Sequence, residues 1–91
     1  MRKIIQTKQF KKDYKKIAAS SRYSAKDFLT VVECLAQDKP LLEKYRDHSL
    51  SGEWIGYKEC HIKPDWLLIY KKLDNDRSLV LVRTGSHSEL F

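Results

Sequence analysis

Trp66-Leu67-Leu68-Ile69-Tyr70-Lys71-Lys72, then Asp74-Asn75-Asp76, then Ser78-Leu79-Val80-Leu81-Val82-Arg83-Thr84, is the stretch on which the fold turns. Two runs rich in aromatic, leucine and β-branched residues flank a short cluster of aspartate and asparagine. Those side chains bond to nearby backbone groups and tolerate tight turns, so the cluster predicts a hairpin between two antiparallel strands. Upstream, Trp54–Ile62 mixes polar and apolar residues around Gly56, and only Lys63-Pro64-Asp65 separates it from Trp66. So short a gap predicts a third antiparallel strand and therefore a meander.

Ahead of the meander the period becomes helical. Phe10, Tyr14, Ile17 and Ala18 fall on one face of a helix running from Thr7 to about Ser20. Lys8, Lys11, Lys12, Lys15 and Lys16 repeat the spacing on the opposite face, with Asp13 the one acid among them. Ser24 followed by Asp27 resembles a capping box, and Phe28, Val31, Val32, Leu35 and Ala36 supply a second apolar face. Pro40 is expected to end that helix, because the residue before a proline is steered out of the α region. Leu41 to Gly52 reads as a loop with one helical turn. Lys3–Gln6 reads as a short opening strand whose place in the sheet cannot be deduced from its residues. The expected fold class is α+β: a short N-terminal strand and a two-helix hairpin packed on a mainly antiparallel sheet.

At 91 residues the chain has room for one core, so a single domain over 1–91 is expected. The net charge is +6 and is uneven. Residues 1–50 carry 12 Lys and Arg against 6 Asp and Glu, whereas residues 51–91 carry 6 of each. The basic first half suggests an anionic partner: RNA, DNA or an acidic protein. Two cysteines, Cys34 and Cys60, make no disulfide framework and share no metal-ligand spacing. The start, Met1-Arg2-Lys3-Ile4-Ile5-Gln6, lacks the apolar run of a signal peptide, and no stretch approaches a membrane span. A soluble protein of the cytoplasm, with no membrane partner, is expected.

All three histidines, His48, His61 and His87, lie in the last 44 residues, together with Asp65, Arg83 and Phe91. In a meander, the end of one strand neighbours the start of the next. His61 and Asp65 therefore share one end of their hairpin, and an antiparallel last strand returns Arg83 and His87 to that end. Such a set suits RNA cleavage. RNA carries its own nucleophile, the 2′-hydroxyl, and needs a base, an acid and positive charge on the phosphorus centre. Imidazole serves both proton roles near neutral pH. Arginine offers a permanent fork for phosphate oxygens, and an aromatic ring such as Phe91 can stack a base. Trp66 is a substrate-binding candidate as well, against the plainer reading of Trp54 and Trp66 as core or platform residues. The lysines Lys11, Lys12, Lys15 and Lys16 are candidates for binding the phosphate backbone, against the plain reading of a solvated helix face. Three histidines and an aspartate could hold zinc, but only His61 and Asp65 have local ligand spacing, and Pro64 puts a turn between them. No metal and no cofactor is expected. Three purely structural histidines are the plain alternative. There is no nucleophile-elbow motif for a serine hydrolase.

Asp47-His48-Ser49-Leu50-Ser51-Gly52-Glu53-Trp54-Ile55-Gly56-Tyr57, His61-Ile62-Lys63-Pro64-Asp65-Trp66-Leu67-Leu68-Ile69-Tyr70 and Arg83-Thr84-Gly85-Ser86-His87-Ser88-Glu89-Leu90-Phe91 resemble, in the right order, three sequence blocks of YafQ-type toxins. The first half resembles the wider RelE/ParE superfamily only by its pattern of a strand and two helices. The resemblance implies a bacterial toxin of a type II toxin–antitoxin pair that cuts messenger RNA on the translating ribosome without metal. It implies His87 as general acid and Asp65 as general base or its orienter, with His48 and His61 in proton transfer or phosphate binding. Arg83 is then the phosphate ligand, and Phe91 holds the scissile nucleotide. Implied partners are a cognate antitoxin, the ribosome and its messenger, with operator DNA reached only through the antitoxin complex. The rival on the same fold is a non-catalytic toxin of the ParE kind that binds and inhibits gyrase. A plain nucleic-acid-binding domain is a third reading. Neither needs the acid–base set.

Overall fold

The structure, a computed structural model, describes residues 1–91. β1 (Lys3–Gln6) leads into α1 (Lys8–Ala18) and α2 (Ala25–Ala36), followed by β2 (His48–Ser49), β3 (Lys58–Lys63), β4 (Trp66–Leu73), β5 (Ser78–Gly85) and a terminal turn of helix, α3 (His87–Leu90). The five strands form one sheet in the order β1-β5-β4-β3-β2. β2 to β5 run antiparallel to their neighbours, and β1 closes the far edge parallel to β5, with Ile4 opposite Leu79. The meander and the two-helix hairpin are as expected.

Local chemistry accounts for the element ends. Thr7 caps α1 by accepting from the Phe10 N–H, and Ser24 caps α2 by accepting from the Asp27 N–H. Ser24 and Asp27 do not complete a capping box, because the Asp27 carboxylate turns toward Lys63 instead (3.9 Å). α2 ends at Ala36, before Pro40 can act. Asp38 takes a left-handed conformation (φ 57°), which breaks the helix and lets its carboxylate reach Arg2 (2.7 Å).

Strand alternation sends Cys60, Ile62, Trp66, Leu68, Tyr70, Leu79 and Leu81 to one side of the sheet. There they pack with Phe10, Ile17, Phe28, Val31, Val32 and Leu35 from the helices. Burying each large apolar side chain stabilises by about 1.5–3 kcal/mol. Leu67, Ile69 and Val82 point the other way and gather Leu50, Trp54, Tyr57 and Leu90 over them. No helix is long and apolar enough to cross a membrane.

The Trp54–Ile62 stretch, expected to be all strand, is strand only from Lys58. Trp54 ends a 3-10 turn begun at Gly52, and Gly56 bends the chain with φ +93°. β2 and α3 were not anticipated.

Candidate functional site

The sheet face opposite α1 and α2 carries the acid–base groups. On β3, Cys60 and Ile62 face the helices, so Glu59 and His61 face the open side. β2 pairs His48 directly opposite Glu59. The His48 Nδ1 lies 2.8 Å from the Arg46 carbonyl and the His61 Nδ1 lies 3.3 Å from the Pro64 carbonyl. A carbonyl only accepts, so each Nδ1 carries the proton and each Nε2 is turned inward. Both Nε2 atoms converge on one oxygen, Glu59 Oε1, at 3.4 Å from His48 and 3.7 Å from His61. The Glu59 side chain is 7% exposed, and its second oxygen is buried without a hydrogen-bond partner. A buried, half-satisfied carboxylate is costly unless positive charge faces it. Here the groups that face it are the two imidazole Nε2 atoms.

Glu59 is the functional candidate that sequence reading missed. The signal was present: it lies two residues before His61 on a strand, and alternation puts such a pair on one face.

A second group lines the same face. Leu67 pairs with His61 on one side and with Gly85 on the other, so the start of α3 stands two strands, about 10 Å, from His61. Gly85 (φ +152°) lies under Glu89, and a side chain at 85 would meet the Glu89 Oε1 at 3.1 Å. α3 is then held by a capping box between Ser86 and Glu89 and by burial of Leu90. A bridge from Lys16 to Glu89 (3.1 Å) adds to these. The Ser86 N–H, together with Lys16, keeps the Glu89 carboxyl ionised down to about 2. This turn presents His87 to solvent with its ring 5.2 Å from Phe91. Phe91 meets Trp54 edge-on at 6.2 Å, and Trp54 meets Tyr57 likewise at 5.5 Å. The result is an aromatic row beside the histidines. Phe91 is 52% exposed, so its ring is available to a base.

The expected cluster of His61, Asp65, Arg83 and His87 is only partly realised. Their backbones share one end of the sheet, but the side chains part. The Arg83 guanidinium turns toward α1 and grips Asp13 with two bonds, 2.8 and 3.1 Å. Asp65, in the β3–β4 turn, is tied to Arg22 of the α1–α2 connection at 3.2 Å. Trp66, expected to serve substrate, has no exposed surface. β4 alternation sends it to the core, where it stacks on Phe28 and its Nε1–H donates to Thr84 Oγ1 at 2.8 Å. Lys11, Lys12, Lys15 and Lys16 are all exposed. Lys12 and Lys16 line a cavity of about 330 Å³ beside Arg83.

Comparison with known proteins agrees with this fold. The sequence model of a family described as "Bacterial toxin of type II toxin-antitoxin system, YafQ" matches residues 2–91. The mRNA interferase toxin YafQ of Escherichia coli strain B is 40% identical over 85 residues, covering 91% of this chain and 88% of that one. A metal-bound toxin from Helicobacter pylori, solved by crystallography, superposes with a TM-score of 0.92 at 44% identity over all of both chains. The E. coli DinJ–YafQ complex gives 0.84 at 37% identity, over 100% of this chain and 99% of that one.

Proposed function

The chain belongs to the YafQ family of toxins of bacterial type II toxin–antitoxin systems, and from that membership we propose that it is an endoribonuclease. It acts on messenger RNA at the ribosome in the cytoplasm, needs no metal, stops translation, and is restrained by a cognate antitoxin. Operator DNA is met only through that toxin–antitoxin complex. A relative named as an mRNA interferase supports the reaction, and the DinJ–YafQ complex supports the partner.

The observation that carries the reading is the pairing of His48, Glu59 and His61 with His87 and Phe91 on one open sheet face. A phosphodiester lying between the two groups meets a base on one side and an acid on the other. An imidazole Nε2 of the Glu59 cluster takes the 2′-hydroxyl proton, and Glu59 stabilises the imidazolium that forms. The 2′-oxygen bonds to phosphorus as the bond to the 5′-oxygen breaks, and His87 protonates the leaving oxygen. The products are a 2′,3′-cyclic phosphate and a 5′-hydroxyl. Phe91, with Trp54 behind it, stacks the nucleotide. Arg83 exchanges the Asp13 carboxylate for a phosphate oxygen, since both fit the same two-pronged fork. Asp65, held by Arg22, orients the β3–β4 turn that follows His61. The lysine face of α1 meets ribosomal RNA. A non-catalytic inhibitor of gyrase has no use for the histidine–glutamate cluster.

The test is cleavage of one message, free and on programmed ribosomes, with and without EDTA. Cuts confined to ribosome-bound message and indifferent to EDTA support the reading. An intact message with translation unaffected sinks it.

A further inference from the structure

The open face does not end at the histidines. Four residues along β4 from Leu67, about 13 Å away, Lys71 emerges on the same side, its ammonium 5.2 Å over the Tyr57 ring. From there the surface falls into a cleft of about 490 Å³ between the C-terminal end of α2 and the start of β3. Lys39, Lys58, Lys71 and Lys72 line it, with Asp38 and Asp47. Both acids are already engaged. Asp38 binds Arg2 and Lys72, and Asp47 binds Lys58 and the Tyr70 hydroxyl. Lys39 and Lys71 have no carboxylate partner, so the cleft holds net positive charge with two uncommitted ammonium groups.

We propose that this lysine cleft is a second binding site for RNA, taking backbone phosphates several nucleotides from the scissile bond, on the strand that leaves the aromatic row at Tyr57. This rests on the reading of the chain as an RNA-cutting toxin. It is separate from the lysine face of α1, which lies over β5, whereas the cleft lies at the end of α2 beside β3 and β4. Position and chemistry both support it. The cleft opens at the end of the sheet, on the α2 side to which Lys58, Tyr70 and Lys72 point, and Lys71 joins it to the open face at Tyr57. The Tyr57 ring with Lys71 above it matches the aromatic-and-cation lining that single strands use. Lysine ammonium groups on flexible stems suit phosphates whose register is not read.

The test compares the full-length protein with Lys39→Gln/Lys71→Gln, which breaks no ion pair. The probes are 2′-O-methyl oligouridines, which lack the free nucleophile, of about 4 and about 16 nucleotides. Affinity is read against salt. The unmodified protein is expected to show a steeper salt slope on the long strand than on the short one. The variant should lose about 0.7 of slope for each missing phosphate contact, about 1.4 in all, on the long strand alone. An unchanged long-strand slope, or an equal loss on both lengths, overturns the cleft. So does a variant that keeps its RNA slope but fails to bind an acidic antitoxin peptide. Thermal melting of both proteins checks that the fold is intact. A protein that cuts no message yet shows the length-dependent slope would sink the nuclease reading and leave the cleft standing.

Discussion

Asp13 on α1 and Arg83 on β5, 70 residues apart in sequence, form a two-pronged ion pair that fastens the lysine-faced helix to the strand leading into α3. Asp13 also accepts from the Thr84 N–H (3.2 Å) and from Gln9 (3.0 Å), and its side chain is only 10% exposed. Replacing it leaves a guanidinium and a backbone N–H short of partners. Asp13→Ala should lower stability by about 1–3 kcal/mol, measured by urea unfolding. A loss below about 0.5 kcal/mol, the range of ordinary surface changes, would mean that water replaces the carboxylate at no cost.

Acid should undo the fold in a defined window. Hydrogen bonds from Arg2 and Lys72 hold the Asp38 carboxyl down to about 2, and the Ser86 N–H with Lys16 does the same for Glu89. Burial pulls Asp13 upward, but the bonds from Arg83, Gln9 and Thr84 outweigh it and leave it below the usual carboxylate range. Each group is deprotonated more readily folded than unfolded, where ordinary values of 3.8 to 4.5 apply. Their stabilisation is therefore complete above those values and is lost as pH falls toward 2. The melting temperature should fall steadily as pH drops below about 5. A melting temperature that holds or rises between about pH 5 and pH 2 contradicts the assignment.

Glu59→Gln keeps the shape of the histidine cluster and removes its charge. On ribosome-bound message kcat should fall on the order of 10²-fold with KM held, because the group acts on proton transfer and not on binding. Stability should hold or rise, since the charge of a buried, half-satisfied carboxylate is removed. Unchanged kcat would reduce Glu59 to a structural residue.

Two aromatic residues, each from a different one of the three sequence blocks, should behave in opposite ways. Trp66→Phe removes a buried donor to Thr84 and should cost about 1–3 kcal/mol of stability, with substrate affinity unchanged. Phe91→Ala should leave melting unchanged and weaken RNA binding by about 1–3 kcal/mol. The reverse pattern in a paired melting and binding assay would exchange their roles.

Much of the fold was legible because its signals are local. The Asp74-Asn75-Asp76 turn is marked by its own residues, and Asp76 N–H indeed donates to the Asn75 side chain at 3.0 Å. Thr7 and Ser24 mark their helices in the same way. The partner of β1 was not legible, because four residues say nothing of which strand they join or in which direction. α3 carried one readable sign, Ser86 three residues before Glu89. A single turn of helix has no periodicity to support that sign. In the site, the histidines stood out as residue types, while Glu59 needed the strand face to be fixed first. The Arg83 partner was beyond reach, because the pairing with Asp13 follows from how α1 lies on β5.

The proposed mechanism stands on proton delivery from His87 to the leaving oxygen. The decisive measurement is single-turnover cleavage of ribosome-bound message by the unmodified protein and by His87→Gln, with the product ends identified. The unmodified protein should leave 2′,3′-cyclic phosphate and 5′-hydroxyl ends, and the variant should lose about 10²–10⁴-fold in rate with ribosome binding retained. Cleavage at full rate by His87→Gln, or products ending in a 3′-hydroxyl, would contradict it.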